Sequence, residues 1–184
     1  DEKGTPMPNP LRCRRCGICF GACPERIISF KQYSIDAATS MVKAIHVPPE
    51  EEGVPRILIF ACENDAYPAL DMAAMNRMKY SPYVRVIPVR CLGSVNVVFI
   101  ADAMSRGIDG VLMLGCKFGE DYQCHFIRGS ELANRRMENI KETLDRLMIE
   151  SERVKILEVE ITDFDKLPKI IDDFVEEIKE LGFN

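Results

Sequence analysis

One short stretch near the start constrains this chain more than any other: Cys13-Arg-Arg-Cys16-Gly-Ile-Cys19-Phe-Gly-Ala-Cys23-Pro24. Three cysteines at two-residue intervals, then a fourth after three residues and a proline, is the spacing with which a small loop aims thiolates at the irons of a cubane [4Fe–4S] cluster. Gly17 and Gly21 relieve the crowding that such a loop creates. Structural zinc usually takes two separated cysteine pairs, and thiols this crowded make a poor disulfide framework.

This run is the ferredoxin-type one, and it leaves one question open. Where two runs serve two clusters, the fourth cysteine of each reaches across to the other cluster. Cys13, Cys16 and Cys19 then share one cluster while Cys23 serves its neighbour. In a single-cluster arrangement, Cys23 or a distant cysteine is the fourth ligand. No second run is present, and the sequence opens on Asp1 with the motif almost at once. The expectation is a trimmed or cleaved chain whose upstream residues supply the missing ligands.

The 184 residues have room for one α/β domain plus a small appendage. A hydrophobic content of 47% and a mean hydropathy of −0.08 fit a folded, water-facing protein. No apolar run approaches the ~20 residues that cross a bilayer, and no stretch reads as a signal peptide. Eight cysteines in a chain this long fit metal ligation in a reducing compartment better than disulfide staples. The net charge of −5 is uneven: residues 1–47 carry three more basic than acidic side chains, and the remainder eight more acidic than basic. Nucleic acid is therefore not an expected partner. The basic end around Arg12, Arg14 and Arg15 either docks an acidic redox partner or is simply solvated.

Residues 1–47 read as the ferredoxin-type segment. Arg26–Phe30 looks like a short closing strand, and Ile35–Ile45 like a helix with Ala37, Met41 and Ile45 on one side. Residues 48–55, rich in proline and glutamate, read as a linker. From Arg56 onward, apolar runs alternate with amphipathic stretches. Strands are predicted at 56–62, 84–91, 110–116 and 154–161, and helices at 68–79, 94–106, 130–149 and 165–181. Pro88 places the second strand at an edge. Single helices between strands mean parallel pairing, so the expected fold is an open parallel sheet of about four strands with flanking helices, flavodoxin-like in outline.

In that reading Cys62, Cys91 and Cys116 each end a strand, and Cys124 lies in the following loop. Parallel strands all finish at one edge, where ligands bind such folds. Four thiols there are the ligand set of an all-cysteine metal or cluster site, and thiol count alone does not separate zinc from iron–sulfur. The bland alternative is that some are buried structural cysteines. Other residues read more plainly. His125 is a loop or supporting residue, Asp65 and Ser130 are helix N-caps, and Met72, Met75 and Met78 pack a core. Gly115 and Gly119 give backbone relief near a cofactor. No acid–base pair, Ser/His/Asp set or phosphate-cradling loop is visible, so no independent catalytic site is expected.

From Ile57 to about Phe183 the chain resembles the delta-subunit family of methyl-viologen-reducing hydrogenase, small iron–sulfur proteins that pass electrons from hydrogenase to heterodisulfide reductase. Phe60-Ala-Cys62, Arg90-Cys91-Leu-Gly93, Gly110 to Cys116 and Cys124-His125 carry the likeness. The stretches from Cys62 to Asp71 and from Asp121 to Ser130 resemble more closely the C-terminal part of the B-type subunit of the quinone-interacting membrane-bound oxidoreductases of sulfate reducers. There the module follows a heterodisulfide-reductase-A-like flavoprotein and a ferredoxin segment. The resemblance implies a [2Fe–2S] cluster for which Cys62, Cys91, Cys116 and Cys124 are the available ligands. Hydrogenase-type members commonly carry a further cysteine about where Asp65 stands.

The expected function is electron transfer within a multisubunit cytoplasmic redox complex, by resemblance between a quinone pool and adenylyl-sulfate reduction. Membrane contact and FAD would belong to flavoprotein and membrane subunits or to an upstream region. The rivals are a hydrogenase- or formate-dehydrogenase-linked subunit feeding heterodisulfide reductase, a docking module whose second site is empty or zinc-filled, and an enzyme with one reactive thiol.

Overall fold

The computed structural model describes residues 7–120, 123–126 and 128–184. Its centre is a four-stranded sheet of β1 (Ile57–Cys62), β2 (Val84–Val89), β3 (Gly110–Cys116) and β4 (Val154–Val159). All pairings are parallel and the order is β2-β1-β3-β4, the expected open α/β arrangement. β1 and β3 are buried along their whole length, which is why they read as unbroken apolar runs. β2 pairs only with β1, so Pro88, opposite Ala61, withdraws no ladder bond from a second neighbour.

Helices cover both faces. Leu58, Phe60, Val111 and Met113 point to α4 (Val97–Met104), α5 (Gly129–Glu138) and α6 (Ile140–Arg146). Ile57, Ile59, Leu112 and Leu114 point to α3 (Ala66–Met75) and α7 (Leu167–Leu181). The buried stripe of α7 is Leu167, Ile171, Phe174, Val175 and Ile178, helical spacing throughout. Each such side chain contributes roughly 1.5–3 kcal/mol by leaving water. Among the described residues no helix is long and apolar enough to cross a membrane.

Several local expectations are corrected. Residues 26–30 form no strand, because a strand needs a ladder partner and none pairs with them among the described residues. α2 (Ile35–Lys43) buries Ile35, Ala38 and Val42, leaving Met41 46% exposed. The two β-branched residues outweigh the Ala37/Met41 side. α3 buries Ala66, Ala69, Leu70 and Ala73, while Met75 is 83% exposed. An alanine face lets α3 lie close against β1 and the turn Ile161–Asp165, where methionines would not fit. The long helix over 130–149 is two helices, parted at Asn139, a residue whose amide competes with helical backbone bonds.

The cysteine-rich segment shares the core. Phe20 of the single-turn helix α1 (Ile18–Gly21) is buried with Ile35, Ala38 and Val42 in the cluster that holds Phe60, Leu92 and Phe99. Asn96 ties the two parts by hydrogen bonds. Its Oδ1 caps α4 by accepting from Val98 N at 3.1 Å. Its Nδ2 donates to the carbonyls of Phe20, Gly21 and Cys23 at 3.3, 3.3 and 3.2 Å. Asn96→Ala is expected to cost about 2–3 kcal/mol, a lost cap plus a buried Gly21 carbonyl left unpaired, since the Phe20 and Cys23 carbonyls also accept from Cys23 N and Arg26 N. Asn96→Asp keeps the cap but turns an acceptor toward three carbonyls, so proteolysis within residues 13–23 should rise at least as much as in the alanine variant. A urea midpoint unchanged in both variants would refute the clamp.

Candidate functional site

At the carboxyl edge of the sheet four segments deliver cysteines to one buried place. Cys62 ends β1 and Cys116 ends β3, and their Sγ atoms are 3.4 Å apart. Cys91 lies two residues past the end of β2, just before the 3-10 turn Leu92–Ser94, rather than on the strand itself. Cys124 returns from the loop after β3. All four are buried, and all eight cysteines of the chain are free thiols.

Gly129 shows how tight the place is. A Cβ there would stand 2.1 Å from the Cys91 sulfur and 3.3 Å from that of Cys124. Hydrogen bonds run through the group: Cys116 interacts with Cys62 and Cys124, and Cys124 also with Cys91. The bonds from their neighbours favour the thiolates of Cys62 and Cys124 and lower their pKa values. The thiol pKa values of Cys91 and Cys116 are raised by those same bonds and by burial. Such a group carries negative charge on some sulfurs at the expense of the others. Among the described residues no three His, Cys, Asp or Glu groups are already arranged as a metal site.

Three polar residues whose roles are not legible in the sequence surround the thiols. Asp65 precedes α3 but makes no capping bond; it is 6% exposed and turned to the Cys116 thiol instead. Asn64 faces Cys116 Sγ with its Nδ2 at 3.6 Å, Asp65 Oδ2 at 3.2 Å and the Gln123 carbonyl at 3.2 Å. Its only cue in the sequence is its position two residues after Cys62. Ser130 is not the N-cap of α5, which is Arg128. Its backbone N–H serves Cys124, and its buried hydroxyl has no partner among the described residues and lies 3.0 Å from where a Gly115 Cβ would be. His125 packs its ring edge-on against Phe126, and its carbonyl accepts from Arg14. Gly119, at φ 96°, turns in open space. Asp121, Tyr122 and Ile127, within the stretch from Asp121 to Ser130, lie outside the described residues.

The first cysteine group sits differently. Cys13 and Cys19 are exposed, and Cys16 and Cys23 half-buried. The Cys23 thiol is lowered by backbone N–H groups, first that of Ile27 and then those of Ile28, Glu25 and Arg26. Arg15 and Arg26 hold φ values of 57° and 56°, a left-handed backbone that non-glycine residues seldom adopt. A cleft of about 690 Å³ opens between Cys13, Arg15, Phe30, Tyr33 and Arg90. Its cations are Arg15, Lys31 and Arg90; of the basic trio Arg12, Arg14 and Arg15, only Arg15 lines it.

Residues 57–182 match the family described as methyl-viologen-reducing hydrogenase, delta subunit. The chain belongs to that family. The iron-sulfur D-type subunit of the F420-non-reducing hydrogenase of Archaeoglobus profundus is 36% identical over 132 residues, which is 72% of this chain and 94% of that protein. The corresponding vhc iron-sulfur protein of Methanococcus voltae is 34% identical over 132 residues, 72% of this chain and 90% of that one. A second kind of relative is much longer. The A-type subunit of the ferredoxin/F420H2-dependent CoB-CoM heterodisulfide reductase of Methanosarcina acetivorans is 33% identical over 128 residues, 70% of this chain but 16% of that protein's length.

The matched domain thus includes Cys62, Cys91, Cys116 and Cys124, while Cys13, Cys16, Cys19 and Cys23 lie before it. Arg136 of this domain stands where the two parts meet. Burial lowers its guanidinium pKa.

Proposed function

We propose that this chain is an electron-transfer module of a larger redox complex, with a [4Fe–4S] cluster held by the Cys13, Cys16, Cys19 and Cys23 run and a [2Fe–2S] cluster held by Cys62, Cys91, Cys116 and Cys124. One observation carries the reading: four buried free thiols from four separate segments meet at one sheet edge, in a family whose relatives are named iron-sulfur subunits. The donor set fits. Four thiolates are the ligand complement of a two-iron cluster. The partnerless Ser130 hydroxyl and the Asn64 amide are donors suited to the sulfur of such a group.

Bound there, the clusters would supply one-electron exchange. The residues supply the rest: thiolate ligation, hydrogen bonds to sulfur from Asn64 and the Ser130 amide, and a dry pocket. Burial disfavours added negative charge, so each donor near the sulfurs raises the potential. Asp65, turned toward Cys116, acts in the opposite sense when ionised.

Residues 1–47 would be the ferredoxin-type segment, 48–55 the link and 56–184 the α/β iron–sulfur domain. The full complex would supply the flavoprotein and any membrane contact, and the basic face around Arg14 and Arg15 would receive an acidic partner. The stretches around Cys62 and Cys124 favour the role between a quinone pool and adenylyl-sulfate reduction. The matched relatives support instead a link between hydrogenase and heterodisulfide reductase.

The test is anaerobic iron and acid-labile sulfide per chain, with EPR after dithionite reduction. About six irons and two signals are expected. Cys116→Ser should drop about two irons and abolish one signal, leaving the cubane signal in place. About four irons and one signal in the unmodified chain would make residues 56–184 a docking domain.

A further inference from the structure

Between the two cysteine groups runs a seam made of backbone. A Cβ on Gly21, which lies between Cys19 and Cys23, would stand 2.2 Å from the Gly93 carbonyl oxygen and 2.6 Å from Arg136 Nη1. A Cβ on Gly93 would stand 2.9 Å from the Gly129 carbonyl, and Gly129 itself abuts the Cys91 sulfur. Glycine at 21, 93 and 129 therefore lets three separate segments touch without an intervening side chain. Arg136 reaches into this seam from α5. Its Nη2 donates to the Gly93 carbonyl at 2.5 Å and its Nε to the Leu132 carbonyl at 3.3 Å. Its Nη1 is buried and donates to nothing among the described residues. A cation with an unused donor in a poorly hydrated place is costly to keep.

We propose that Arg136 is a positioning residue that couples the two cysteine sites, holding the Gly21–Gly93–Gly129 seam closed and fixing a positive charge between them. The proposal rests on the two-cluster reading above. Passage of an electron between the sites oxidises one cluster and reduces the other by one electron, with no bond made or broken and no proton required. The cation offsets the negative charge that arrives at the Cys91 side, so it favours the reduced form there. A charge of opposite sign within about 4–6 Å changes a protonation equilibrium about tenfold or more, and a redox equilibrium responds in the same way.

The experiment is an EPR-monitored potentiometric titration of the full chain, with iron per chain measured on each protein, for the unmodified chain, Arg136→Gln and Arg136→Lys. Glutamine keeps a donor for the Gly93 carbonyl and removes the charge; lysine keeps the charge. At a fixed potential the reduced-to-oxidised ratio of the second-site signal should fall about tenfold in Arg136→Gln, equivalent to about 59 mV for one electron. Arg136→Lys should recover most of that shift. An unchanged midpoint in Arg136→Gln at full iron overturns the proposal, as does a lysine variant that behaves like glutamine. Loss of second-site iron from both variants overturns it in favour of a structural role. Four irons in the unmodified chain instead sink the two-cluster reading, and the proposal with it.

Discussion

Replacing Arg153 by methionine is expected to lower the unfolding midpoint by about 6–12 °C, from a loss of about 3 kcal/mol in a chain of this size. Arg153 is among the largest side chains hidden in the molecule, 1% exposed. It stands just before β4 and serves as a hub. Nη1 donates to the carbonyls of Asp109 at 3.1 Å and Gly182 at 2.9 Å, and Nη2 to that of Phe183 at 3.3 Å. Nε pairs with Glu150, whose half-exposed carboxylate adds little because water screens it. Methionine fills the volume without donating, so the cost measures the unpaired carbonyls. The same hub anchors the end of the chain, where Asn184 N donates to Asp109 Oδ1. Thermal unfolding followed by circular dichroism decides the matter; a shift below about 2 °C would mean that water or backbone movement satisfies the carbonyls.

Phe20→Ala is expected to cost about 3–5 kcal/mol, the usual loss on emptying a buried aromatic site. The ring is 1% exposed, packs edge-on against Phe30 at 5.5 Å and lies 6.4 Å from Tyr33. Because the same core holds Phe60, Leu92 and Phe99, the loss should appear as one cooperative transition at lower temperature. Two transitions, the upper one unmoved, would show that residues 1–47 fold apart from the rest. The result therefore bears directly on whether residues 48–55 separate two domains or join two parts of one.

These two residues show where local pattern stops being informative. β1 and β3 are legible because a strand buried on both faces must be apolar along its length, and Ile57–Cys62 and Gly110–Cys116 are. The edge position of β2 is legible from Pro88, which lacks the N–H that a central strand must give. Helix faces are less so. Ala37/Met41/Ile45 and Ile35/Ala38/Val42 are both helical stripes, and only the neighbouring α4 selects the second. Asp65 and Ser130 have residue types that cap helices, but each is drawn instead toward the thiols that arrive from other segments.

By itself the sequence determined the alternation of strands and helices, and with it the parallel sheet whose strands all finish at one edge. The meeting of Cys62 and Cys116 follows from that rule, since β1 and β3 are neighbours. Only the tertiary structure decided what surrounds the thiols and what joins the two cysteine groups: the Asn96 clamp, the glycine seam, Arg136 and the turned Asp65. The contacts of Arg136 in the seam and of the Asn96 clamp link residues 43 and 75 positions apart. Periodicity records which face of an element is apolar, and it carries no information about which distant backbone that face will meet.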